Sequence, residues 1–388
     1  MIKLPIDSST YFPAAGPQFE GTYWKKNYLF NDRYSLKWFD AGRSFFHYPY
    51  MLSNAFNNIN TFNYREYHGF PNDQKHILIG DSGGFQIVSY AKKGVSVNIE
   101  PIKILRWQEQ NCDIGMNLDV PLFDNFSDSL SKSIENFQCF ENSRQNYDMI
   151  LCNVLHGRNY KELTTWYSGV KDFDFDGWAI GVKPADNIYL QIWAYLFLYE
   201  NNAKGLNNYC HFFGVGSPRT MVALSLLQHK IGLPIGFDAS SYNVGSTARE
   251  YFLPGDIGKH FYLGSQNSNR LMTGLPCDCP VCRNVSIDNI YEDTGGSGIV
   301  ICLHNLYRTI ETNRQINCIV GDKKNLIRYA VTMFKKDPKI VINIESMIND
   351  HIKYGSEYTY NKYKDLFILK SNSMKFENLS KFKTKTFI

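Results

Sequence analysis

Ile77-Leu78-Ile79-Gly80-Asp81-Ser82-Gly83-Gly84-Phe85-Gln86 is the stretch on which the reading of the fold turns. Ile77, Leu78 and Ile79 form a short apolar run of the kind found in a strand buried on both faces. Gly80 leads from that run straight to an acid. Gly83 and Gly84 let the backbone turn sharply and approach a flat ligand, and Phe85 is placed to stack on one. A carboxylate at a strand end beside a Gly-Gly turn suits acid–base chemistry. A capped turn is the plainer alternative, since Asp and Gly favour turns in any case. What favours the strand-end reading is recurrence: the same arrangement returns further along the chain.

Downstream, apolar runs at 114–118, 149–155, 178–181, 209–213 and 234–237 end at Asp119, His156-Gly157, Gly181-Val182-Lys183, Gly214-Val215-Gly216 and Asp238. Helical segments separate them, among them residues 101–111, 127–147 and one capped by Ser217-Pro218 that runs to about Lys230. Residues 45–52 read as the first strand and 260–263 as the last, while residues 1–44 read as irregular. Roughly eight strands in alternation with helices predict an α/β protein, a (β/α)8 TIM-type barrel. In that fold the C-terminal strand ends converge on one site. A doubly wound open sheet is the alternative, but neither GxGxxG nor GxxxxGK[ST] is present to support it.

Composition sets the bounds. The chain has 388 residues, 44% of them apolar, enough for a large core. No run of about 18 apolar residues is present, and the N-terminus lacks a signal-peptide core. Nine cysteines, several isolated in apolar runs, fit a reducing cytoplasm better than a disulfide framework. A net charge of +4 does not by itself demand a nucleic-acid partner.

Cys277-Asp278-Cys279-Pro280-Val281-Cys282 is the most specific local signal. Three thiols within six residues form a compact knuckle, and His304 can supply a fourth ligand. Cys3His is a closed tetrahedral zinc set, so the expected role is structural, with one Zn2+ per chain. Cys302 is a rival ligand, but positions 302 and 304 of a helix face different ways. The expected organisation is a barrel over 1–265, a zinc-binding insertion over 266–304 and a C-terminal helical segment with a basic tail over 305–388.

Taken in order, DSGGFQ, Asp238 after Gly236-Phe237, and CxCxxC followed by His304-Asn305-Leu306 resemble the tRNA-guanine transglycosylase superfamily over about residues 77–310. That resemblance implies a zinc-containing (β/α)8 barrel that exchanges guanine in a polynucleotide for a 7-deazaguanine base. It implies Asp238 as nucleophile, Asp81 as general acid and base, and Asp119 as the residue that holds the base. Ser82, Gly83, Phe85, His156 and Gly181 complete the implied base-binding set. Core packing for Phe85 and a structural role for His156 stand as alternatives. Cys277, Cys279, Cys282 and His304 match the family's metal ligands.

The departures point to a polymer. The family's usual Gln-Gly pair is His156-Gly157 here, and its Leu-Pro-Thr-Arg-type stretch after the nucleophile is Ala239-Ser240-Ser241-Tyr242-Asn243. Both resemble the divergent branch of bacteria and phages that modifies DNA, for example with 7-cyano-7-deazaguanine. Guanine in tRNA is the alternative substrate, and a non-catalytic zinc-binding subunit is a third. The implied partners are therefore DNA or tRNA and a 7-deazaguanine base. A second copy of the chain and partner proteins of a modification system are further candidates, and no membrane is expected. Lys323, Lys324, Arg328, Lys335, Lys336 and the basic tail are the candidate phosphate contacts, with a solvated helix face as their alternative.

Overall fold

The computed structural model describes residues 4–5, 8–16, 19–25, 29–30, 32–94, 99–122, 125–182, 187–263, 275, 277–286, 297–335 and 337–367. Eight parallel strands form one sheet. In chain order they are β1 (Thr10–Pro13), β2 (Tyr50–Asn54), β3 (Ile77–Asp81), β4 (Ile114–Met116), β5 (Ile150–Leu155), β6 (Gly177–Ile180), β7 (Cys210–Phe212) and β8 (Ile235–Ala239). Each of β2 to β8 pairs with the next, and β8 returns to β1 with Phe12 opposite Asp238. A single bridge, Ala14 to Leu52, joins β1 to β2. The sheet is thus a ring, the (β/α)8 barrel that the strand ends predicted.

Membership of the ring differs from expectation at both ends. The first strand lies at Thr10–Pro13, inside the stretch read as irregular. The expected last strand, 260–263, instead belongs to an antiparallel hairpin, β9 (Glu250–Leu253) with β10 (Asp256–Tyr262). Tertiary pairing decides both cases. β1 is four fully buried residues held between β8 and the seam. β10 finds its partner only a few residues upstream, as short hairpins do.

Helices follow the strands and cover the ring. Asn125, Asn159, Asn187 and Ser217 each cap a helix by accepting from a backbone N–H in its first turn. Pro218 stands at the first helical position, where a missing N–H costs nothing. The helix Ile188–Glu200 is buried from Ile188 through Leu198 and apolar on all sides. The reason is a cover from the C-terminus. The helical stretch Ile340–Phe367 breaks at Gly355, whose φ is +80°. Its first arm runs to Glu200, which accepts from the Ser356 N–H at 2.9 Å, and its second returns to Asn187, whose Nδ2 donates to the Phe367 carbonyl at 2.7 Å. No helix among the described residues is long and apolar enough to cross a membrane.

Aromatic rings fill the ring's interior. Phe12 meets the rings of Tyr50, Tyr209 and His211 at centroid distances of 5.4, 6.5 and 6.2 Å. The barrel is therefore a packed core, and chemistry is confined to its ends.

Candidate active site and metal centre

Asp81 is the last residue of β3, and its register partner is Asn54, the last of β2. The Asn54 Nδ2 donates to Asp81 Oδ2 at 2.6 Å. Gly83, at φ +87°, makes the turn after it. A Cβ on Gly84 would lie 2.3 Å from the Asp119 carbonyl oxygen. Only glycine lets the helix Gly84–Lys92 start against the loop that carries Asp119. Desolvation pushes the Asp81 carboxyl up to about 7, with the negative charges of Asp119 and Asp238 adding to the rise. The Gly83 N–H and the Asn54 amide oppose it. A carboxyl that titrates near neutrality can both give and take a proton.

Asp119 follows β4 and is paired with His156, which follows β5. His156 Nε2 lies 2.6 Å from Asp119 Oδ2, and its Nδ1 lies 2.7 Å from the Gly181 carbonyl oxygen. Each ring nitrogen thus faces an oxygen of the protein, and neither is free for a ligand. The pair ties down Asp119 Oδ2 and leaves Oδ1 available. Ser82 is fully buried, and its hydroxyl has no partner among the described residues. Phe85 is half exposed at the start of its helix, in keeping with a surface that can take a ring.

Asp238 closes the set on β8. Its Oδ1 accepts from the Gly214 N–H at 3.0 Å and lies 3.1 Å from His211 Nε2. A cleft of 460 Å³ opens from Asp238 across Gly216 and Ser240 to Phe252 and Ile257 of the β9–β10 hairpin. Asp81, Asp119, His156, Gly181 and Asp238 therefore share the C-terminal end of the ring. Three neighbouring residues were not singled out in the sequence: Asn54 beside Asp81, and His211 and Tyr209 beneath Asp238. The signal for the last two was a polar alternation, Tyr209 and His211, inside an otherwise apolar strand.

The basic residues are distributed differently. Lys323 lies 2.5 Å from Glu345, which also pairs with Lys230 at 2.9 Å. Lys230 ends the helix that leads into β8, so this ion-pair group sits at the opposite, N-terminal end of the strands. Lys324 and Arg328 are exposed on the same helix, Lys323–Met333. That helix runs back toward Asp337, which pairs with Arg219 at the start of the helix after β7. Lys335 is exposed near that end, and Lys336 and the tail beyond Phe367 lie outside the described residues.

Cys277, Cys279, Cys282 and His304 come together, their ligand atoms all within 4.8 Å of one another. His304 Nδ1 lies 3.6, 3.4 and 3.2 Å from the three sulfurs. Tetrahedral bonds of the usual zinc lengths separate sulfur and nitrogen ligands by about 3.5 Å, so the donor set fits such an ion. The surroundings orient it. His304 Nε2 donates to the Phe252 carbonyl at 2.9 Å, which leaves Nδ1 as the ligand atom. Tyr251 stacks on the His304 ring at 3.8 Å. Arg308 donates to Cys277 Sγ, offsetting thiolate charge. Cys302 is turned toward Asn243 Oδ1, 3.7 Å away, and takes no part. His304 lies in the helix Ser297–Ile319, which passes without a break through the boundary expected after it.

Removing a ligand should therefore cost metal and stability together. Cys279→Ser and His304→Ala are each expected to lower bound metal from one per chain toward none. The melting temperature should fall by roughly 5 °C or more. Elemental analysis and thermal melts check this; full metal retention in both variants would remove the ligand assignment.

The family described as queuine tRNA-ribosyltransferase matches residues 47–323 of the chain. No curated protein matches it.

Proposed function

The chain belongs to the queuine tRNA-ribosyltransferase family, and from that premise we propose that it exchanges guanine in DNA for a 7-deazaguanine base through an ester on Asp238. Members of the family are pentosyltransferases, so the coarse activity is guanine transglycosylation on nucleic acid. The observation that carries the proposed chemistry is the meeting of Asp81, Asp119 and Asp238 at one barrel mouth, with Asp81 held at about 7.

The target guanine swings out of its stack into the mouth. Asp119 Oδ1 accepts from the guanine N–H edge, and the unpaired Ser82 hydroxyl offers one more polar contact. Gly83, Gly181 and Phe85 border the base. Asp238 attacks the anomeric carbon. The glycosidic electron pair leaves with guanine, which takes a proton from Asp81. The incoming base gives its ring N–H proton to Asp81 and attacks the same carbon, and the ester bond breaks to restore the carboxylate. Two inversions retain configuration, the logic of a retaining glycosidase. A zinc ion on Cys277, Cys279, Cys282 and His304 would be structural, bracing the hairpin beside the cleft, with 266–304 as its insertion. The barrel of 1–265 and the helical segment of 305–388 make up the rest.

Two features favour DNA. The residues after Asp238 are Ala239-Ser240-Ser241, small side chains where an anticodon-reading arginine would be expected. His156 spends both its nitrogens on Asp119 and Gly181, so the edge of the base is read differently from a glutamine site. The test offers the enzyme equal amounts of duplex DNA and unmodified tRNA with one labelled 7-cyano-7-deazaguanine. Label in DNA with little in tRNA is expected. Label confined to tRNA sinks the DNA assignment and leaves the chemistry intact. Label in neither, with intact protein and metal, favours a non-catalytic subunit.

A further inference from the structure

Beneath Asp238 lies a buried chain of side chains that the reaction as described does not use. Tyr209 Oη is 2.8 Å from His211 Nδ1, and His211 Nε2 is 3.1 Å from Asp238 Oδ1. Tyr209 and His211 are both fully buried. His211 lies in β7 and Tyr209 just ahead of it, two residues apart, and both rings meet Phe12 inside the barrel. The neighbouring strand makes room for them. A Cβ on Gly236 would fall 1.9 Å from the Tyr209 hydroxyl oxygen, so any other residue there would push the hydroxyl out of place.

We infer that His211 is a positioning residue for Asp238, held in its Nε2–H tautomer by Tyr209, and that it selects which carboxylate oxygen attacks. This rests on the reading of Asp238 as the nucleophile. A carboxylate only accepts, so the nitrogen facing it must donate. Nδ1 is then the acceptor of the neutral ring, and the Tyr209 hydroxyl donates to it. Burial raises the Tyr209 phenol well above its ordinary value, so that proton stays in place. Asp238 Oδ1 thus receives two donors, His211 Nε2–H and the Gly214 N–H. Oδ2 is the oxygen left to bond the sugar. Once the ester forms, Oδ1 is its carbonyl oxygen. When the incoming base expels the carboxylate, charge returns to Oδ1, where the same two donors receive it.

The arrangement predicts a split in kinetics. Tyr209→Phe keeps the ring and loses only the hydroxyl, freeing His211 to turn its lone pair toward Asp238. His211→Phe removes the donor altogether. Both should slow single-turnover formation of the covalent adduct by roughly 10- to 100-fold, the range for partners that orient a reacting group. KM for nucleic acid and for the incoming base should stay within about twofold. His211→Gln, which can present an N–H at a similar place, should recover part of the rate. Nitrogen-15 spectra of histidine-labelled protein, assigned with His211→Gln, should show His211 protonated at Nε2 alone, and Tyr209→Phe should disturb that signal.

Adduct formation at the parental rate in Tyr209→Phe and His211→Phe, with Asp238→Ala inert, overturns the role of His211 and spares Asp238. A parent His211 protonated at Nδ1 overturns it as well, and needs no variant to fold. Adduct in Asp238→Ala overturns both assignments at once.

Discussion

Asp238→Ala is expected to fold, keep its metal and form no covalent adduct with the polynucleotide, with guanine exchange reduced by roughly 10⁴-fold or more. The size follows from the role: a double displacement without its nucleophile has no intermediate to pass through. Asp238→Asn is the sharper variant. Its side-chain oxygen can still accept from the Gly214 N–H and from His211, so the local geometry of the parent is kept. What it lacks is an anionic oxygen to attack the sugar. Denaturing gels after incubation with substrate and the leaving base would reveal the adduct in the parent alone. A shifted band in either variant would falsify the nucleophile assignment.

The second large effect concerns Asp81. Its carboxyl titrates at about 7, and the first half-reaction as proposed uses the protonated form. Adduct formation should therefore be fastest below neutrality and fall about tenfold per pH unit above it. Asp81→Asn cannot donate in the same way. It should be slower by roughly 10²- to 10⁴-fold and lose this pH limb. A parental limb that survives in the variant belongs to another group. Stability should change with the opposite benefit. The native carboxyl holds its proton well above the ordinary carboxylate value of 3.8. Its contribution favours the folded state fully below about 4 and is lost as pH rises through about 7. Asp81→Asn removes that loss, so its melting temperature should gain on the parent's between pH 5 and 8.

The strand ends were legible because an apolar run followed by an acid or glycine is local grammar. Asp81, Asp119 and Asp238 could be ranked as site residues without knowing which strands touch. The thiols of the cluster that could hold a metal were legible for the same reason: CxCxxC packs three of them into six residues. β1 was not, because Thr-Tyr-Phe-Pro carries no pattern that marks a strand until β8 lies beside it. His211 was missed because its meaning depends on Tyr209, Gly236 and Asp238 at once, on two strands. The lysines illustrate a different gap. A basic run on a helix shows charge but not direction, and Lys323 turns out to be tied to Glu345 at the far end of the barrel.

The joint between β1 and β2 differs from every other in the ring. The backbone contributes the bridge at Ala14 and Leu52, where the Ala15 N–H donates to the Leu52 carbonyl at 2.8 Å. A side chain adds one more tie: the Tyr48 hydroxyl, just ahead of β2, donates to the Tyr11 carbonyl at 2.6 Å. A hoop held at one joint by so few bonds yields first there. On the proposed roles, that joint lies between nucleophile and proton donor, with Asp238 one strand to one side of it and the Asn54–Asp81 pair on the other. Widening the seam by a fraction of an ångström would change the span between nucleophile and proton donor without disturbing either one's own anchors. On the proposed roles, this joint is where the barrel would give as one base departs and another of different shape arrives.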